Sequence, residues 1–489
     1  MTSRSSPYDL CVIGAGIAGL NALFVAKKYL PPSARVALID RNECAGGMWN
    51  ATYDYVRLHQ PYPMFTAGNI RWKLSQPDEY LAKGTEVLTH LKYCLATIES
   101  GLSITKFWLS EASMVQEDVS QGERLVTVRV SSLPNGTPTE VISAKKVIYA
   151  QGLDVPRLEP LALSSHQVVS CTPQTVSQHF DQTSPVYIVG GGKTGMDSVL
   201  ALGDRATKRK VSFIVGQGTV FAKRDLLFPT GLRRYFSRHS NLKMLLDASV
   251  QFDGSNEEDV FRSFTEKYTT NPGSGGERFL FGQLSEAECA RVSELTDDYI
   301  YDYLDDVVDT ERGPEIVYRS GSRVPIENGA LFVNCTGHLF KGAVRGAPLL
   351  SENNAVLTIS SQAAFHFLPA MSSYFLSHLF FAEKLHDSSF YILDNDALVA
   401  LNPKAAFLTG MTQSLLNTLL ALEALPLTAF HEFGLDFDRW HPAYKRLAGL
   451  ISLQINRQKL IDHCRETLDR IAQTYNVTCH PVKGLDQGH

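Results

Sequence analysis

No two of the eight cysteines (Cys11, Cys44, Cys94, Cys171, Cys289, Cys335, Cys464 and Cys479) stand close enough to form a C-x-x-C pair. That excludes a zinc knuckle and a redox dithiol, and no metal site is expected. A surplus of one charge is also missing. Lys and Arg number 46 against 51 Asp and Glu, a net charge of −5 that offers no basic field for nucleic acid. The sequence has no clean apolar run of membrane-spanning length. Its most apolar late stretch, 405–430, is interrupted by Thr412, Gln413, Ser414, Asn417, Glu423 and Pro426, so it reads as a buried helix rather than a membrane span. A signal-peptide pattern is lacking too, since the short polar stretch 1–7 runs straight into a strand. Together with unpaired thiols this predicts a cytoplasmic protein.

What is present is a chain of 489 residues, 44% hydrophobic and 20% charged, long enough for two or three globular units. The apolar run Tyr8-Asp-Leu-Cys-Val-Ile13 suits a fully buried parallel strand and leads into Gly14-Ala15-Gly16-Ile17-Ala18-Gly19. A helical stretch, 20–29, follows and is stopped by Pro31 and Pro32; the next apolar run, 35–39, ends on Asp40. In this order each residue has a physical role. Gly14 serves the tight turn, Gly16 the close approach of a pyrophosphate, Gly19 the helix–strand packing, and Asp40 a ribose diol. The pyrophosphate is expected on the helix N-terminus, where free N–H groups and the helix dipole favour anions.

The pattern recurs 176 residues later (190 − 14) as the strand 185–189, the loop Gly190-Gly191-Gly192-Lys193-Thr194-Gly195, a helix and the strand 211–215. Two such units suggest two nucleotides facing one another, as when a nicotinamide cofactor reduces a flavin. The second unit has no acid after its second strand, which ends Ile214-Val215-Gly216-Gln217-Gly218. Lys208, Arg209, Lys210, Lys223 and Arg224 lie nearby, favouring NADPH with NADH not excluded; an ordinary solvated basic face reads equally well.

Gly46-Gly47-Met48-Trp49 and Tyr53-Asp54-Tyr55-Val56-Arg57-Leu58-His59-Gln60-Pro61-Tyr62-Pro63-Met64-Phe65 resemble segments of the class B flavin-containing monooxygenases, in wording the plant YUCCA enzymes above all. Val147-Ile-Tyr-Ala-Gln-Gly152 is similar to that family's crossover into the nicotinamide domain, Gly190 to Asp197 to its second Gly loop, and Val333-Asn-Cys-Thr-Gly337 to its return crossover. The match covers roughly residues 7–225 and 325–380. The segment 160–174 departs from the family's F-x-G-x-x-x-H fingerprint, holding His166 and Ser170-Cys171 without the Phe and Gly, and Lys193 stands where Asn is common. Baeyer–Villiger activity is correspondingly not expected.

The resemblance implies an α/β protein with two Rossmann-like dinucleotide-binding domains, the second inserted into the first, and a helical C-terminal extension. The expected boundaries are 1–180 and 322–395 for the FAD domain, 181–321 for the NAD(P)H domain with an insertion at about 226–320, and 396–489 for the extension. It also implies cofactor contacts from Gly14, Gly16, Gly19, Asp40, Arg41, Gly47, Met48, Trp49, His59, Gln60, Gln151, Gly190, Gly192, Lys193, Thr194, Gly195, Arg224, Thr336 and Gly337, with His59 the leading catalytic residue beside the flavin's reactive edge. The implied reaction inserts one oxygen atom from O2 into a small organic substrate at nitrogen, sulfur or activated carbon, through a C4a-(hydro)peroxyflavin. An NAD(P)H-dependent flavin reductase or oxidase, and a flavin-binding sensor without turnover, are the alternatives.

Two further stretches carry expectations. The acidic, aromatic run Asp297-Asp298-Tyr299-Ile300-Tyr301-Asp302-Tyr303 reads as a helix with a solvated face, with a lid over the substrate channel as the lesser alternative. Leu460, Ile461, Cys464, Leu468, Ile471 and Tyr475 recur at helical spacing and mark one apolar face, suited to packing, to capping the site or to a possible homodimer seam.

Overall fold

The computed structural model describes residues 6–120, 123–133, 138–150, 158–203, 209–273, 275–337, 349–359, 368–385, 389–434 and 436–482. Two five-stranded parallel sheets organise the molecule. The first runs Val356–Thr358, Val147–Tyr149, Leu10–Ile13, Arg35–Ile39, Ser103–Phe107, every neighbouring pair parallel. Leu10–Ile13 is buried throughout because helices cover one face of the sheet and the antiparallel strands Ser110–Ser120, Glu123–Ser132 and Pro138–Ala144 cover the other, which is why it reads as an unbroken apolar run. The helix Ile17–Tyr29 returns the chain across this sheet and packs against Pro369–Phe381.

The second sheet repeats the plan in the order Asp298–Ile300, Val211–Ile214, Val186–Val189, Leu331–Asn334, Val169–Cys171. Two of its strands fall outside the expected boundaries of the NAD(P)H domain. Val169–Cys171 and Leu331–Asn334 pair with each other and extend the sheet, so the second unit spans at least 169–334 rather than 181–321. Nor is 226–320 one insertion, because Asp298–Ile300 belongs to this central sheet. That segment is a strand, not the helix expected for 297–303: Ser212–Ile214 needs a parallel neighbour on that side, and tertiary pairing overrides local composition.

A third, helical unit forms where 224–268 meets the C-terminal residues. Leu227, Phe228, Met244, Phe261 and Phe264 share one core with Phe407, Met411, Leu415, Leu468 and Ile471. The apolar face read from the sequence faces this core: Ile461, Cys464, Leu468 and Ile471 are buried on the helix Ala443–Tyr475. Pro403–Ala424 is long and apolar enough to cross a membrane, yet 83% of its most apolar window is buried inside the protein. Two of its polar residues, Gln413 and Asn417, have partners there. Asn417 accepts from the Tyr391 N–H at 2.9 Å and donates to the Tyr391 carbonyl at 3.0 Å, and Gln413 donates to the same carbonyl at 2.9 Å.

Candidate functional site

The two Gly loops match at their first and last glycines. Gly14 and Gly190 turn at φ +107° and +115°, a region that side chains disfavour. A Cβ on Gly19 would lie 1.8 Å from the Gly14 carbonyl oxygen, and one on Gly195 2.3 Å from that of Gly190, so only glycine lets each helix close on its own turn. The middle glycines differ. A Cβ on Gly192 would meet nothing within 4 Å, leaving open space over the helix Lys193–Gly203. Gly16 instead faces Gly47, whose own Cβ would come 2.8 Å from the Gly16 Cα. The helix Ile17–Tyr29 starts at Gly16 without a side-chain cap, so its first N–H groups remain available to an anion.

Asp40 stands at the end of its strand as expected, but both its oxygens are engaged by protein. The Ala15 N–H donates to one at 2.6 Å; the Asn42 N–H and side chain donate to the other at 2.8 and 2.9 Å. Asp40 thereby fixes the Gly loop, and its remaining lone pairs face a cavity that Arg41 and Asn42 also line. Gly46 (φ +148°) and Gly47 (φ +56°) turn the chain into a short helical turn carrying Met48, which is exposed, and Trp49, which packs edge-on against Phe65 at 5.7 Å.

The segment 53–60 bridges the two units. Tyr53 donates to Asp197 at 2.9 Å and Tyr55 bonds Ser198 at 2.9 Å, both on the helix of the second Gly loop. Lys193 pairs with the other Asp197 oxygen. Next along the chain, His59 and Gln60 face the same cavity as Gly14, Gly16, Gly47, Met48, Trp49, Gly192, Lys193, Thr194 and Gly337. This cavity, of about 1420 Å³, continues into the helical unit past Leu245, Phe375, Met411, Leu422, Phe430 and Leu453. Among the described residues, seven polar side chains with a buried, unpaired atom line it: Gln60, Gln174, His239, Asn241, Gln283, Thr418 and His441.

His59 is half-buried because one side opens on the cavity; protein encloses the rest. Burial, reinforced by the Lys193 and Arg224 cations and only partly opposed by Glu288, holds its pKa down at about 3, so the ring is neutral near pH 7 and presents one donor and one acceptor. Glu288 stays ionised: burial alone would raise its pKa, but Arg224 and Lys193 outweigh it.

Arg224 has a different role from the one its sequence position suggests. Its guanidinium pairs with Glu288 and donates to the His59 carbonyl at 3.2 Å, which makes it a support for the His59 segment rather than a free ligand for a 2′-phosphate. Arg209 donates to the carbonyls of Ser184 and His179, and Lys210 pairs with Asp298 at 2.8 Å. Lys208 lies outside the described residues, and so does Gln151 of the first crossover. Thr336 is exposed and donates through its N–H and hydroxyl to Asn334 at 3.2 and 2.7 Å.

The residues that sequence reasoning missed are Asp197, Gln283, Glu288 and Arg278. Glu288 carries a visible local signal, the capping box Ser285-x-x-Glu288, whose bonds it makes at 2.8 and 3.0 Å; its second role needs the fold. Arg278 donates from Nε to Gln217, in the loop after Val211–Ile214, at 2.9 Å. Parallel pairing of 219 with 278 brings it there, and no local motif announces it.

Fold and site together define a protein built on two dinucleotide-binding units that open on one cavity. The family described as pyridine nucleotide-disulphide oxidoreductase matches residues 8–275, more than half of the chain, and the protein belongs to that family. Uncharacterized proteins of Mycobacterium tuberculosis and Mycobacterium bovis are 23% identical over 355 residues, 68% of this chain, and the match spans 61% of those relatives' own length. Among solved structures, the FAD-bound cadaverine monooxygenase DfoA of Erwinia amylovora is similar over 78% of this chain and 94% of its own (TM-score 0.49, 10% identity). The ornithine hydroxylase PvdA of Pseudomonas aeruginosa is similar over 78% and 99% (0.49, 12%), and the bacillithiol disulfide reductase of Staphylococcus aureus over 78% and 100% (0.44, 12%).

Proposed function

We propose that this protein is an FAD-dependent, NADPH-using monooxygenase that transfers one oxygen atom of O2 to a nitrogen, sulfur or activated carbon of a small, largely apolar substrate. The observation that carries the reading is the single cavity shared by both Gly loops, with the neutral His59 and Gln60 between them and an apolar chamber beyond.

The residues present suit both dinucleotides. Open space above Gly192 and uncapped N–H groups after Gly16 suit a pyrophosphate, and the unpaired side-chain oxygens of Gln60, Gln174 and Gln283 can accept from N–H groups such as those of a ring carboxamide. The cavity volume of about 1420 Å³ exceeds the roughly 300–1,000 Å³ typical of one small-molecule site. When bound, FAD reduced by NADPH supplies the oxygen-activating chemistry. The protein's own residues position and exclude water. Gly14, Gly16 and Gly47 shape the first cradle; Gly190, Gly192 and Thr194 the second. His59 offers its N–H to an oxygen atom in the cavity. Arg224 and Glu288 fix the His59 backbone, and the Lys193–Asp197–Tyr53 chain locks the two units in register. The apolar wall of the helical unit keeps water from the reacting centre.

Disulfide reduction through a protein dithiol, the chemistry in the family's description, is disfavoured because no cysteine pair lies near the flavin segment and the sequence holds no C-x-x-C. The testing experiment is reduction of the purified yellow protein by NADPH under nitrogen, followed by air and a panel of lipophilic amines and sulfides. Product formed in proportion to NADPH oxidised supports oxygen transfer; NADPH oxidation that yields only hydrogen peroxide with every compound refutes it.

A further inference from the structure

The surface around the mouth of the cavity has an unusual composition. Residues 226–246 and 440–461 carry eight basic residues (Arg233, Arg234, Arg238, Lys243, Lys445, Arg446, Arg457, Lys459) and no acidic ones, in a chain whose net charge is −5. The fold lays these segments together. Tyr444 donates to the Tyr235 carbonyl at 2.6 Å, Lys445 donates to the carbonyls of Arg234 and Ser237, and the Arg234 guanidinium sits over Trp440 at 4.7 Å.

The combined surface exposes large apolar side chains that a water-facing patch avoids. Leu232 and Phe236 are 77% and 79% exposed on the 233–236 turn. On the long helix Ala443–Tyr475, Tyr444, Leu447, Ile451 and Ile455 stand outward at three- and four-residue spacing, opposite the face that packs on Leu453 and Ile461. Leu450, also exposed, belongs at once to this helix and to the cavity lining, where Arg238, Lys445 and Arg446 stand with it, so the patch borders the cavity. Arg233 and Lys459 are exposed, and neither is in an ion pair with another described residue.

We propose that this patch docks the protein on an anionic lipid surface, with Leu232, Phe236, Leu447, Ile451 and Ile455 entering the headgroup–acyl boundary and Arg233 and Lys459 meeting lipid phosphates. Lys243, Arg446 and Arg457 pair with Asp247, Asp436 and Glu423, which leaves an excess of positive charge beside the apolar stripe. An exposed helix with an apolar stripe and basic flanks is the physical requirement for such in-plane binding, and the excess of positive charge favours an anionic surface over a second copy of the same patch. Docked in this way, the cavity mouth opens toward the acyl layer, where apolar molecules concentrate. Lipid binding stands independently of the oxygen-transfer reading and is measured without turnover.

The test is flotation of the full-length, flavin-replete protein with vesicles of phosphatidylcholine alone or mixed with phosphatidylserine. The protein is expected to float with the mixed vesicles, to bind phosphatidylcholine alone far more weakly, and to be released by high salt. The combined variant Leu447→Ser, Ile451→Ser, Ile455→Ser should lower binding tenfold or more, and Arg233→Glu with Lys459→Glu should remove the phosphatidylserine preference, about tenfold or more for two charges. Both variants alter exposed side chains, and unchanged flavin content confirms that they fold. Failure of the wild type to float with either vesicle overturns the proposal. So does a wild-type dimer that the serine variant converts to monomer, since the stripe is then a subunit seam.

Discussion

At the scale of single residues, the site rests on contrasts between chemically identical positions. Gly192 and Gly195 are three residues apart, yet a Cβ finds open space at the first and the Gly190 carbonyl at 2.3 Å at the second. Gly195→Ala is therefore expected to destabilise the second unit, measured as a lower denaturant midpoint. Gly192→Ala should fold normally, keep its flavin and raise the KM for NADPH. His59 divides the same way. If its N–H serves the oxygen atom, His59→Ala should retain FAD and be reduced by NADPH, while product per NADPH falls about tenfold or more, the scale of one lost positioned donor. An unchanged product yield in a stable variant removes His59 from the chemistry.

The turn and packing roles of Gly14, Gly19, Gly190 and Gly195 were legible because they are local. The pairing of Arg224 was not legible because its partner, Glu288, lies 64 residues away (288 − 224) and only the fold brings them together. The same folding brings Arg278 to Gln217, in the loop where a 2′-phosphate is expected. Arg278→Gln should narrow the preference for NADPH over NADH by about tenfold, the scale of one charge-assisted contact, whereas Arg224→Gln should disturb His59 and turnover with both cofactors alike. Comparing the two cofactors' kcat/KM in each variant decides between them.

At the scale of elements, the helical unit shows what patterning reveals and what it hides. The periodicity of 460–475 predicted one buried face, and Ile461, Cys464, Leu468 and Ile471 form it. What that face packs against was not legible, since its partners at 244–264 look like a stray insertion until the sheets are traced. Leu468→Ala should cost about 2–5 kcal/mol of stability as a buried deletion, whereas Ile455→Ser on the exposed side of the same helix should cost under about 0.5 kcal/mol. Asp438 ties the unit together at a second point. Its carboxylate accepts from the Asn241 and Leu242 N–H groups at 2.8 and 3.0 Å, at the start of the helix Asn241–Gln251. The strand Asp298–Ile300 went unread for the opposite reason: acidic and aromatic residues suit an exposed helix by composition, and only an unfilled sheet edge makes them a strand.

At the scale of the whole molecule, several buried titratable groups set the response to acid. Burial holds His90, stacked on Trp72 and bonded to Thr66, at about 3, and burial with the nearby Lys28 holds His378 at about 4. A histidine whose folded pKa lies below its unfolded value contributes stability that is complete above about 6.5 and is lost as the pH falls toward the folded value. Asp436 acts in the other direction, raised to about 6 by burial and the neighbouring Asp438, so its contribution is present in acid and fades as pH rises through about 6. With His59 the histidines outnumber it, and stability should fall between about pH 6.5 and pH 4. His90→Gln with His378→Gln should flatten that slope in denaturant titrations, and an unchanged slope would show that these rings are solvated.

The two sheets with their Gly loops, the shared cavity and the helical wall underlie the proposed function, in which activated oxygen is held out of water and delivered to a substrate. The most direct measurement mixes the NADPH-reduced enzyme with oxygenated buffer, without substrate, and follows oxygen consumption and hydrogen peroxide release together. The apolar chamber and the neutral His59 predict that peroxide appears with a clear lag behind oxygen consumption, and that His59→Ala shortens the lag. Peroxide released in step with oxygen consumption by the wild-type enzyme would contradict the account and leave an NADPH oxidase in its place.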